Sequence, residues 1–343
     1  MNHIRRISIL SLLTILLMPI SGRSQVKDYH LMKKVVVGGE GGWDYLTPDP
    51  NNDRLYISHG TQVEIYDLVH DSVVSHILHT EGVHGIAIAD RDQHAFISCG
   101  KSNTVLMVDM RTGDTIKRIP VGEKPDAIIY ELATKHIYVM NGKSEDITVL
   151  ESISGAFVAT IKLPGGPEFA VSDEHGHVYV NLEDQSKVVK IDAKTNTIEK
   201  TWSLGPGKGP TGIAMDRGSD RLFIGCGNEM MIVIDAENGK VVKQMKIGKG
   251  CDAVVFDPFT KYAFASCGDG TVTIVHEVTP KNFVAVQTLQ TQRGARTIAL
   301  DPRSHNIYLT TAEFGPAPEA TKENPKPRPQ IVPGSFVVLK YGP

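Results

Sequence analysis

Residues 251–258 read Cys251-Asp-Ala-Val-Val-Phe-Asp-Pro258, and 44 residues further on the chain reads Ala295-Arg-Thr-Ile-Ala-Leu-Asp-Pro302. The same phrase stands earlier as Trp43-Asp-Tyr-Leu-Thr-Pro-Asp-Pro50, Pro125-Asp-Ala-Ile-Ile-Tyr130 and Pro210-Thr-Gly-Ile-Ala-Met-Asp216. Val83 and Pro167 open two further units, so seven starts follow one another at 40, 42, 42, 43, 41 and 44 residues. A Gly precedes most of them, as at Gly82, Gly166, Gly209, Gly250 and Gly294. Self-similarity at one fixed period marks a chain built from one repeated supersecondary unit.

Each unit reads as four short strands. The first is the apolar run after the start, such as Gly85–Ala89 or Gly212–Met215. The second carries an aromatic between aliphatics, as in Leu55-Tyr56-Ile57, Ala95-Phe96-Ile97 and Val178-Tyr179-Val180. The third ends at an acid, as in Val105–Asp109 and Met231–Asp235. A hairpin follows, Asp109-Met-Arg-Thr-Gly113 or Asp235-Ala-Glu-Asn-Gly239, with Gly at a left-handed position. The fourth is amphipathic, as in Thr115–Val121 and Lys240–Ile247. Four strands per unit, seven times over, predict an all-β, seven-bladed β-propeller of four-stranded antiparallel blades.

The seventh unit stops after its third strand, Phe336–Lys340. Met32-Lys-Lys-Val-Val-Val-Gly38 matches Ile116-Lys-Arg-Ile-Pro-Val-Gly122, a fourth strand. The N-terminal strand is therefore expected to complete the last blade, closing the ring and removing its open edges. Residues 25–343 then make one domain, with a Pro-rich insertion at 312–334 in the seventh unit.

Ile137-Tyr-Val-Met-Asn-Gly142 resembles the aliphatic-Tyr-Val-Thr-Asn signature of the YVTN-repeat β-propellers. The wider pattern, through all seven units, is similar to the YncE-like exported proteins. The Gly-His…Trp-Asp periodicity of WD40 repeats does not occur, and units such as Ser58-His59-Gly60 and Gly225-Cys226-Gly227 depart from the strict signature. The resemblance implies the fold and little chemistry, since such propellers include surface-layer-type repeats, lactonase-like enzymes and DNA-binding proteins.

Residues 1–24 read as an address. Arg5 and Arg6 form a basic start, Ile7–Ile20 an uncharged apolar run and Ser21–Ser24 a small-residue end, which is the layout of a cleaved secretory signal. The apolar run is short for a membrane span. The expected location is periplasmic or secreted. The whole chain of 343 residues has 36 Lys plus Arg against 39 Asp plus Glu. Without Arg5, Arg6 and Arg23 the balance is 33 against 39, so the processed protein is mildly acidic and its charge opposes nucleic-acid binding. Cys99, Cys226, Cys251 and Cys267 form no Cys-x-x-Cys unit, and the expectation is small buried thiols.

Inner strands line a propeller's channel, and their starts form its mouth. The second residues of the seven units are Asp44, His84, Asp126, Glu168, Thr211, Asp252 and Arg296. Such a ring suits a divalent cation or a small polar ligand. It also suits a hydrated mouth whose charges pair among themselves, Arg296 with Asp252 or Asp44. The last residues of the second strands return to the same face: His59, Cys99, Asn141, Leu182, Cys226, Cys267 and Thr311. Asp44, His59 and His84 are the candidate N/O metal set, though without a diagnostic spacing. The remaining histidines, among them His94, His136 and His177, are expected to be solvated near turns.

No GxSxG, HExxH or phosphate loop occurs, and the glycines around Lys208 and Lys249 are read as turns between blades. The leading expectation is a non-enzymatic, monomeric binding scaffold for a small polar ligand or a protein partner. Its site is the mouth, under the 312–334 loop. The alternative is a lactonase-like hydrolase in which His84 with Asp126 or Glu168 acts as the acid–base pair, aided by a divalent cation.

Overall fold

A computed structural model describes residues 28–321, 327 and 329–343. The expected signal segment and the tip of the 312–334 insertion lie outside the described residues. The rest forms seven four-stranded antiparallel sheets. The inner strands of blades 1 to 6 are Trp43–Asp49, Val83–Ala89, Pro125–Glu131, Pro167–Ser172, Pro210–Asp216 and Cys251–Asp257. In blade 7 the inner strand shortens to Ile298–Leu300. Arg296 therefore sits in the segment leading to it. Among the described residues the only helical pieces are two single 3₁₀ turns, Pro50–Asn52 and Asp90–Asp92.

Blade 7 is a composite. Its outermost strand is His30–Val36, which pairs antiparallel with Val337–Gly342 from the other end of the chain. This N-terminal strand is largely exposed, so burial of its own side chains contributes little to the seam. Tyr29 supplies an anchor instead. It is 2% exposed, its hydroxyl donates to the His305 carbonyl at 2.7 Å, and its ring meets Phe264 edge-on at 5.0 Å. Lys33 adds an ion pair to Asp71 of blade 1.

The hydrophobic core lies between blades rather than within them. Each sheet has two apolar faces, so each of seven buried clusters straddles one junction. The junction of blades 7 and 1 is rich in aromatics, with Trp43, Tyr66, Tyr308 and Phe336 buried together. All four cysteines are buried and free. Burial pushes the Cys226 thiol up to about 12, which makes it inert toward oxidation and alkylation at neutral pH.

Two local devices repeat around the ring. Asp53, Gln93, Lys135, Asp220 and Lys261 stand one residue before the second strand, each with φ between 54° and 59°. Left-handed backbone of this kind is uncommon for residues with a Cβ. The pairing of the first two strands also slips between the first residue and the third or fourth in blades 1 to 6. Such a β-bulge bends its strand and re-aims side chains. Here it lets second and third residues such as Asp44 and Tyr45 border the channel together.

Candidate functional site

The bulged strands and the segment leading into blade 7 assemble the mouth. Asp44, Asp126, Glu168, Asp252 and Arg296 border one pocket of about 550 Å³ with Tyr45 at its base. His84 stands between two of these acids, its Nδ1 2.7 Å from Asp44 Oδ2 and 3.5 Å from Asp126 Oδ1. Opposite, Arg296 Nε donates to Asp252 Oδ2 at 2.6 Å and an Nη donates to the Trp43 carbonyl at 3.1 Å. The guanidinium lies 5.9 Å from the centre of the Trp43 ring and 3.9 Å from Asp44. The paired side chains remain 15% (Asp126) to 37% (Arg296) exposed, so a ligand can reach them. Of the ring's seven second residues, Thr211 turns away: its hydroxyl donates to the Cys251 carbonyl at 2.7 Å and is buried.

Glu168 differs from its neighbours. It has no hydrogen-bond or ion-pair partner among the described residues. Burial first, then the charges of Asp126, Glu183 and Asp252, lift its carboxyl to about 8. Burial also lifts Asp126 to about 6 against the pull of His84, and raises Asp252 although Arg296 opposes it. His84 moves up as well: burial disfavours its charge, but the hydrogen bond to Asp44 and the charge of Asp126 outweigh that. The mouth thus holds more negative charge than its own cations neutralise, and protons make up part of the difference.

The expected metal trio Asp44, His59 and His84 does not assemble. His59 is 2% exposed, bonded through Nδ1 to Glu64 at 2.9 Å and stacked on Phe336 at 4.0 Å. It pairs with Trp43 in the sheet as its register requires, but its ring turns into the junction with blade 7 instead of the mouth. The donor atoms of Asp44, His84 and Asp126 do lie within 4.8 Å of one another, an N/O set that borderline divalent ions accept. His94, His136 and His177 also depart from the expectation of solvated turns. Each leads a second strand and is half-buried, and His177 Nδ1 lies 2.7 Å from Asp173.

Sequence reading missed the groups that hold the mouth in place. Ser98 is buried and accepts the Gly85 N–H at 2.8 Å while donating to the Asp126 carbonyl at 2.5 Å. Ser266 donates to the Arg296 carbonyl at 2.5 Å, and Asn181 Nδ2 donates to the Thr211 carbonyl at 2.8 Å. All three occupy the fifth position of a second strand, one residue before the register of Cys99, Leu182 and Cys267. Polar residues recurring at this position of otherwise apolar strands, as Ser58, Ser98, Asn181, Ser266 and Thr310, were the available signal.

Also missed was the layer below the acids. The third residues of the units are Tyr45, Gly85, Ala127, Phe169, Gly212, Ala253 and Thr297, two aromatics among small side chains. Tyr45 and Phe169, from blades 1 and 4, stack at 5.0 Å with their planes 13° apart. A Cβ on Gly212 would lie 2.5 Å from the Ala253 backbone, so blades 5 and 6 close up because that residue is Gly.

The insertion of blade 7 is pinned at its base beside this mouth. Phe314 bridges to Ile331 and packs on Trp43 at 6.0 Å, with Arg293 over its ring at 5.7 Å. A second pocket of about 690 Å³, bordered by Glu40, Trp43, His84, Lys101, Lys124 and Arg296 among others, continues the mouth over blades 1 and 2. Among the described residues no helix is long and apolar enough to cross a membrane.

No family model and no curated protein matches this chain. Among solved structures it is similar to a chain of Kuenenia stuttgartiensis hydrazine synthase. The TM-score is 0.69 at 17% sequence identity, covering 78% of this chain and 92% of that one. At that identity the likeness supports the propeller fold and carries no chemistry.

Proposed function

We propose that this propeller is an exported, non-enzymatic binding protein whose acidic mouth takes a small cationic ligand, a divalent metal ion or a compact polyamine, beside the 312–334 insertion. The observation that carries this is Glu168, an unpartnered carboxylate facing Asp126 and Asp252 across a 550 Å³ pocket. Bringing a cation there replaces repulsion among carboxylates with attraction and displaces a proton. Asp44, His84 and Asp126 supply a metal ion's donors, and the carboxylates of Glu168 and Asp252 supply further charge. The YVTN-repeat kinship read from Ile137–Gly142, the cleaved signal at 1–24, a periplasmic or secreted location and a monomeric state belong to the same proposal.

Titration calorimetry with Ca²⁺, Mn²⁺ and spermidine at pH 8.5 and pH 5.5 tests it. One of these cations is expected to bind at pH 8.5 and about tenfold or more weakly at pH 5.5, where Glu168 keeps its proton. Absence of binding by all three at pH 8.5 overturns the proposal. The hydrolase reading rests on the hydrogen-bonded Asp44–His84 pair, and turnover of a lactone and ester panel that vanishes in His84→Ala would favour it instead.

A further inference from the structure

We infer that the half of the channel beyond the Tyr45–Phe169 stack is a second, independent site, which takes an uncharged and largely apolar small molecule from the face opposite the acids. This cavity holds about 680 Å³, within the ~300–1,000 Å³ of pockets that enclose one small organic molecule. Its wall is made by Ile88, Ile129, Val171, Met215 and Val255, from the lower parts of five inner strands. Among the described residues, Tyr45 alone borders both this cavity and the acidic pocket. Its stack with Phe169 lies between the two spaces and forms the inner end of the chamber.

The polar groups of the chamber define what it takes. At the rim, Arg217 is already engaged by Glu174 at 3.0 Å and by the Ser172 carbonyl at 2.7 Å. Neither rim charge is left for a ligand. Deeper in, the hydroxyls of Thr297 and Tyr130 are sealed from solvent behind the wall, so they present no accessible polar atom to the chamber. Apolar walls facing water favour an apolar occupant, whereas a charged one would lose hydration with nothing to replace it. The ligand class is therefore a neutral ring system or branched hydrocarbon.

The probe is 1-N-phenylnaphthylamine, a neutral fluorophore with one N–H whose emission rises on leaving water. Saturable binding of one molecule per chain is expected. Val255→Trp and Val171→Trp, made separately, put an indole into the chamber from different blades. Each is expected to weaken binding at least tenfold while the circular dichroism stays that of the parent. Glu168→Gln, at the mouth, is expected to leave probe binding unchanged. Non-saturable binding, or a folded Trp variant that binds like the parent, overturns the inference. So does loss of binding in Glu168→Gln, which would place the probe among the acids. Because the probe is neutral and enters from the other face, failure here leaves the cation proposal standing, and the reverse.

Discussion

The two halves of the channel are built from neighbouring residues of the same strands, yet they are chemical opposites. Asp44 and Tyr45 are adjacent, as are Glu168 and Phe169. The first residue of each pair enters the acidic mouth, and the second enters an aromatic layer above an apolar chamber. In an ideal strand, consecutive side chains would point to opposite faces. The bulge allows both to face the axis, one register step apart in depth. A polar site and an apolar one can thus be tuned separately along a single seven-residue strand.

The sharpest way to break that division is Phe169→Ala. It removes one ring of the stack, and the half-buried position puts the loss at about 2–3 kcal/mol of stability. Water then joins the halves, so the Glu168 carboxyl is expected to titrate well below 8, a change that NMR of its side chain would read. A Glu168 titration unmoved in the variant would mean the stack does not insulate the mouth.

Glu168→Gln tests the mouth alone. Folding raises the Glu168 pKa, so the folded state holds a proton that the unfolded state releases between about pH 4.5 and 8. This residue's contribution therefore falls as pH rises through that window. The Gln variant should match the parent near pH 4 and exceed it by about 2 kcal/mol at pH 9, a figure reduced for partial exposure. Urea melts at both pH values check this, and a variant no more stable at pH 9 would remove the charge repulsion inferred here.

The smallest effect is expected from Ser98→Ala. It leaves the Gly85 N–H and the Asp126 carbonyl without their shared hydroxyl, at a cost of about 1–2 kcal/mol. Cation affinity should weaken as Asp126 loses its anchor, while the naphthylamine probe still binds. Equal weakening at both sites would show that the halves are mechanically coupled.

Much of the fold was legible because a ring of equal blades must repeat its sequence, and the repeat carries the strand order with it. The closing strand was legible for the same reason, since Met32–Gly38 copies a fourth strand whose blade lacked one. The mouth was legible as a register, second residue after second residue. What one register cannot give is direction. His59 has the right position, but the stacking surface of Phe336 and the carboxylate of Glu64 draw its ring inward. Tyr45 and Phe169 belong to blades that meet only across the axis, so their stacking depends on ring diameter, which no local pattern encodes. The five left-handed residues before the second strands were missed because Asp, Gln and Lys carry no turn signal as strong as Gly.

The seam of blade 7 also sets an order of events. During vectorial synthesis, residues 30–36 appear first and their pairing partners, 337–342, last. Until then the first strand is an unpaired edge bearing Leu31, Met32 and Val36. Blades 1 to 6 can stack as a growing arc, but the arc cannot become a ring before the final strand exists. Closure is therefore a long-range step of high contact order, and slow for that reason. The edge strand 30–36, held only by its ladder to 337–342, is where mechanical peeling of the ring would begin.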